Sequence, residues 1–153
     1  MKRHPSVFLL AMLLASAACA SAGGPPPDIS DTRFERSLQI DLASMTRTPS
    51  GLYYQDVKEG QYEVAKARQR VSVRYTGWLP NGTEVDKSDE GIEFRIGSGT
   101  VIRGWEIGIE GMRVGGVRKL VIPPELGYRY REVGKIPAGS VLVFRVELVR
   151  VRD

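Results

Sequence analysis

Histidine and cysteine are nearly missing from this sequence: the only histidine is His4 and the only cysteine is Cys19. Past residue 19 the chain has no imidazole and no thiol, which excludes nucleophilic catalysis with a histidine base and the common zinc sites there. A lone cysteine also excludes an internal disulfide, so cysteine usage says nothing about compartment. Charge of one sign is scarce too. The 22 basic residues exceed the 18 acidic ones by +4, and losing Lys2 and Arg3 with a leader lowers that to +2. The two signs alternate along the chain, the pattern of solvated strand faces, which gives no footing for a nucleic-acid partner. The longest apolar run, residues 7–18, falls short of the ~20 residues that a membrane-spanning helix needs.

What is present suits one domain and a leader: 153 residues, 42% hydrophobic and 26% charged. Positive charge in residues 1–4, then the apolar run, then small residues is the layout of a signal peptide over residues 1–18. Ser16-Ala17-Ala18-Cys19 resembles a bacterial lipobox with Ser16 in place of the usual Leu, which makes Cys19 the lipidation candidate and mature N-terminus. Plain cleavage after Ala17, Ala20 or Ala22 is the alternative. Either way the sequence predicts export from a bacterial cytoplasm into the cell envelope, facing the periplasm; lipidation of Cys19 would add membrane contact, through the lipid anchor alone.

Residues 19–48 read as a flexible tether and adaptor. Residues 21–31 hold two glycines and three consecutive prolines, and the apolar positions of residues 34–48 fit helical and alternating templates equally, predicting a weakly packed segment. Turn chemistry at Thr48-Pro49-Ser50-Gly51 sets the domain boundary near Pro49, giving a domain over residues 49–153.

Within that domain, residues 52–57 are strand-like. From Val71 the alternation is strict, with Val71, Val73 and Tyr75 on one face and Ser72, Arg74 and Thr76 on the other. Pro80-Asn81-Gly82-Thr83 is a turn. Residues 84–86 and 92–96 read as short returning strands, residues 103–111 as a helix around Trp105 and Ile109 that its three glycines make poor in isolation, and residues 117–122 and 141–151 as the closing strands. Residues 123–139 form a long loop. One short helix on an antiparallel sheet makes the fold class α+β. Asp86, Asp89 and Glu90 read as solvated carboxylates beside Lys87, and the glycine pairs near residues 97–99 and 115–116 as turns. A reaction without acid, base, nucleophile or metal fits what remains.

Three ordered stretches carry a family resemblance: VSVRYTGWLPNGTEVDKS, then IEFRIGSGTVIRGWEIGIEGMRVGGVRKLVIPPELGY, then IPAGSVLVFRVEL. Together they resemble an FKBP-type peptidyl-prolyl cis-trans isomerase over residues 49–153. The resemblance implies a half-open antiparallel sheet wrapped around one short α-helix, an apolar pocket between them, no cofactor and no metal. It implies proline-containing polypeptide clients and binding of macrolide-type inhibitors. The family's positions carry over to Tyr75, Asp86, Trp105, Tyr128 and Phe144 as the catalytic set, and to Val85, Phe94, Val101, Ile102 and Ile136 as substrate-binding walls. In that scheme Trp105 is the floor beneath the proline ring, the Ile102 N–H donates to a substrate carbonyl, and the Tyr128 hydroxyl meets the substrate. The chain departs from the family at Val85, where Phe is usual, at Ile92, and after Tyr128, where Arg129, Tyr130 and Arg131 replace a common glycine. With no heptad pattern for dimerisation, a monomer is expected. A non-catalytic module that binds proline segments stays open beside the enzyme.

Overall fold

The computed structural model describes residues 28–153. The proposed leader, Cys19 and the start of the tether lie outside the described residues. Among the described residues six strands form one sheet: β1 (Thr46–Arg47), β2 (Tyr53–Lys58), β3 (Arg70–Trp78), β4 (Glu84–Arg95), β5 (Val117–Ile122) and β6 (Leu142–Arg152). Their spatial order is β1-β2-β5-β6-β3-β4, every pairing antiparallel. One helix, α1 (Arg103–Ile109), joins β4 to β5. The fold is α+β, as the pattern predicts.

Successive strand residues point to opposite faces, and β5 shows what lies on each. Leu120 and Ile122 join the main core with Trp105, Ile109, Phe144 and Val146, whereas Val121 between them belongs to a second cluster with Ile29 and Met45. Both faces of β5 are therefore covered, which explains the three consecutive apolar residues Leu120, Val121 and Ile122 at its end. The second cover is residues 28–48, and here the expected weak packing is corrected. Ile29, Leu38 and Met45 are buried, β1 pairs with β2, and the Lys119 ammonium donates to the carbonyls of Leu38 and Gln39 at 2.9 and 3.2 Å. Ordered packing thus reaches back past Pro49, because apolar residues spaced without a clear period still find one apolar patch behind β5.

The two short strands expected at residues 84–86 and 92–96 are the ends of the single strand β4. Its register slips where Tyr75 faces Ser88 but Val73 faces Ile92, so residues 89–91 form a bulge that closes on Gly91 (φ 93°). The helix ends at Ile109, two residues before the predicted end, and the N–H of Gly111 turns away to the Ala65 carbonyl (2.8 Å).

Two glycines explain how so short and poor a helix is kept. A Cβ on Gly104 would stand 2.6 Å from Ile122, and one on Gly108 2.6 Å from Leu120. Their absence lets α1 lie flat on β5, and packing offsets the ~1 kcal/mol that each glycine takes from helix propensity. Gly108→Ala should therefore destabilise the protein by about 1–3 kcal/mol despite its better propensity; an unchanged or raised urea midpoint would contradict the close approach. The helix end is also tied down chemically. Arg118, nearly buried, donates to the Gly108 carbonyl (3.0 Å), makes a two-point pair with Asp56 (2.7 and 3.0 Å) and lies over the Tyr54 ring.

Candidate functional site

A cavity of about 130 Å³ opens between α1 and the sheet, lined by Tyr75, Asp86, Ile92, Thr100, Val101, Ile102, Trp105, Tyr128 and Phe144. At ~30 Å³ per water it holds a small ring rather than a folded segment. Larger hollows of about 510 and 300 Å³ lie beside residues 30–43 and 37–39, but of the carried-over residues they touch only Phe144, and size is not what a single ring requires.

Each wall comes from a different element. Tyr75 on β3 and Phe144 on β6 are inward positions of neighbouring strands, and Trp105 stands on the first turn of α1 between them. The Trp105 ring lies 4.6 Å from Tyr75 at 78° and 5.3 Å from Phe144 at 87°, both edge-to-face, and 6.0 Å from Phe94. Edge-to-face pairs contribute ~0.5–1.5 kcal/mol beyond burial, so the floor is held on three sides. Gly77 permits this: a Cβ there would collide with the Phe144 ring.

Polar groups sit at the rim. Asp86 is exposed, as the residues around it suggest, and it also lines the cavity at the rim, where the resemblance places it. Its Oδ2 accepts from the Tyr75 hydroxyl (2.9 Å) and its Oδ1 from the Lys87 N–H (2.8 Å). Burial first, then this bond and the Asp86 charge, push Tyr75 up from 10.0 to about 12. Burial and the Asp86 charge raise Tyr128 in the same direction. Its hydroxyl makes no hydrogen bond among the described residues, so it stays a neutral donor available to a ligand. The Ile102 N–H, just ahead of α1, likewise has no acceptor there.

Of the ten carried-over pocket residues, the structure gathers Tyr75, Asp86, Val101, Ile102, Trp105, Tyr128 and Phe144 around the hollow. Phe94 and Ile136 are buried core, Phe94 against Trp105 and Ile136 as the buried residue of the long loop. Val85 is the unpaired residue where β4 slips against β3 between Gly77 and Trp78; it packs on the core and is not in the lining of this cavity. Sequence reasoning missed Thr100, Gly77 and above all Glu106. This buried carboxylate accepts from the N–H groups of Gly97 (3.1 Å) and Gly99 (2.8 Å) and meets Arg103 at 3.5 Å. It pins the turn that leads into Val101 and Ile102. A glutamate on the inward side of an otherwise apolar helix was the available signal.

Among the described residues no His, Cys, Asp or Glu cluster could hold a metal. The hollow is lined by rings, carries the Tyr128 hydroxyl, the Ile102 N–H and the Asp86 carboxylate at its rim, and lies between one short helix and an antiparallel sheet. The family model for the FKBP-type peptidyl-prolyl cis-trans isomerase matches residues 61–149, and the chain belongs to that family. It is 43% identical over 107 residues to an FK506-binding protein of Neisseria meningitidis serogroup B, covering 67% of this chain and 98% of that one. It is 36% identical over 162 residues to FK506-binding protein 4 of Mycosarcoma maydis, covering 92% of this chain but 43% of the relative. FkpA from Escherichia coli matches in structure with a TM-score of 0.65 at 41% identity, over 71% of this chain and 51% of that one. The chain thus spans about half or less of the latter two proteins.

A pH expectation follows from the tyrosines. Since both stay protonated well past neutrality, ligand binding in the cavity should be constant from about pH 7 to pH 9. The raised Tyr75 favours the folded state fully below pH 10.0, and that contribution is lost as pH rises towards 12. Urea midpoints at rising pH check the sign; a gain in stability above pH 10 through Tyr75 would contradict it.

Proposed function

We propose that this protein accelerates cis/trans isomerisation of X-Pro bonds in exported polypeptides, in the cell envelope. The carrying observation is the Trp105 floor boxed by Tyr75 and Phe144, beneath the free Tyr128 hydroxyl and Ile102 N–H. The planar prolyl amide is held by resonance, with a barrier of ~18–20 kcal/mol. Twisting reduces its charge separation, so an apolar cavity disfavours the planar state more than the twisted one. The two donors orient the segment, and each tenfold gain asks for only ~1.4 kcal/mol. The same hollow is proposed to take macrolide-type inhibitors in competition with prolyl peptides. Export is supported by the signal-like residues 1–18 and lipid anchoring by Cys19; mass spectrometry of the mature N-terminus should find a diacylglyceryl cysteine, and an unmodified N-terminus would remove the anchor.

A protease-coupled assay on a short X-Pro peptide tests the reaction. Acceleration is expected, with Tyr128→Phe lowering kcat/KM about tenfold, the ~1.4 kcal/mol of one oriented hydrogen bond, while the fold is kept. Binding without acceleration would mean a proline-binding module instead of an enzyme.

A further inference from the structure

We propose that the exposed stretch from Arg129 to Lys135 is a docking rim that favours client segments carrying acidic side chains beside the proline, an inference that rests on the cavity being a prolyl site. The stretch continues directly from Tyr128, which lines the cavity. It is an ordered frame: Arg129 N–H donates to the Pro124 carbonyl (2.8 Å), Gly139 N–H to that of Arg129 (2.7 Å), and Val133 and Ile136 exchange backbone bonds at 3.0 and 2.9 Å. Buried Ile136 anchors it from below. On this frame every residue from 129 to 135 is exposed.

The charges are one-sided. Arg129, Arg131 and Lys135 form no ion pair among the described residues, and Glu132 is the only acid in the stretch. Arg129 also holds a left-handed backbone (φ 56°), a conformation that disfavours any side chain relative to glycine, so the backbone does not explain an arginine there. Tyr130, 78% exposed, and Val133, 39%, stand among the cations and add apolar contact area for an extended segment. Across the cavity, Asp86 is already engaged by Tyr75 and Lys87. A bound segment therefore meets negative charge on that wall and unpaired positive charge on the loop wall. An extended chain advances ~3.3 Å per residue, which brings positions within about three of the proline along the rim. Continuity with the cavity favours a polypeptide over an anionic lipid surface as the occupant.

The test uses the full chain and three peptides sharing one X-Pro core, with Ala, Glu or Lys flanks, read by both turnover and equilibrium binding. The Glu-flanked peptide should exceed the Ala-flanked one about threefold to tenfold in kcat/KM at low salt, and the Lys-flanked one should fall below it. The preference should shrink in 0.5 M salt, where screening acts over ~4 Å, and invert in a variant combining R129E, R131E and K135E, each rate being read relative to that variant's own turnover of the Ala-flanked peptide. Tyr130→Ala should weaken all three peptides alike. Equal turnover of the three peptides overturns the rim and leaves the isomerase standing. No turnover but acid-dependent binding supports the rim and removes the isomerase. Absence of peptide preference together with loop-dependent binding to anionic vesicles assigns the loop to a membrane and overturns the proposal.

Discussion

Trp105→Ala is expected to lower kcat/KM for an X-Pro peptide by at least about 100-fold, or ~2.7 kcal/mol of barrier, and to cost ~3–5 kcal/mol of stability. The two losses have one origin. The indole is 4% exposed and meets Tyr75, Phe94 and Phe144, so it is both the cavity floor and a core residue. Trp105→Leu separates them: it keeps an apolar floor and much of the volume, so the fold should survive with a smaller stability loss. Activity should still drop, because leucine offers no flat face to a prolyl ring and releases the edge-to-face contacts that hold Tyr75. Chymotrypsin-coupled rates and urea midpoints on both variants measure the two losses separately. Full turnover by Trp105→Leu would remove the aromatic floor from the mechanism.

Glu106→Ala should come next in size. Two backbone N–H groups, of Gly97 and Gly99, donate to one buried carboxylate oxygen, and hydrogen bonds to a charged group are worth ~1.5–3 kcal/mol each. Without the carboxylate these donors lose their acceptor, and the turn ahead of Ile102 is free to move. We expect a stability loss of about 3 kcal/mol and a tenfold or greater fall in kcat. Glu106→Gln, which retains an acceptor oxygen, should recover most of both. Amide exchange at Gly97 and Gly99 gives the readout specific to positioning: fast in the alanine variant, slow in the glutamine one. Unaltered exchange in Glu106→Ala would show that the turn stands by itself.

Much of the architecture was readable without coordinates, and for physical reasons that hold locally. The alternation from Val71 and the inward row Leu142, Phe144, Val146 and Leu148 are buried faces of β3 and β6, because a period of two leaves a strand only one way to bury its apolar side. The turn at residues 80–83 was equally plain, with Gly82 at a positive φ of 87°. Failures lie where a distant partner decides. Residues 28–48 show no period because they follow an irregular path over Val121. The bulge at residues 89–91 depends on the register against β3. Val85 was placed in the cavity by resemblance, but a slip of one position beside Gly77 turns it to the core.

By itself the sequence determined the α+β class, the strand faces and the want of histidine and cysteine chemistry beyond residue 19, since composition and short-range periodicity carry these, while the family came from the resemblance of its ordered motifs. The tertiary structure alone decided which side chains share the hollow. Tyr75, Asp86, Trp105, Tyr128 and Phe144 come from two neighbouring strands, a bulged edge strand, a helix and a loop. Only long-range pairing sets their distances, as it sets the pair between Arg118 and the distant Asp56; the buried Glu106 finds its partners in the nearby turn, but only the folded turn aims the Gly97 and Gly99 N–H groups at it.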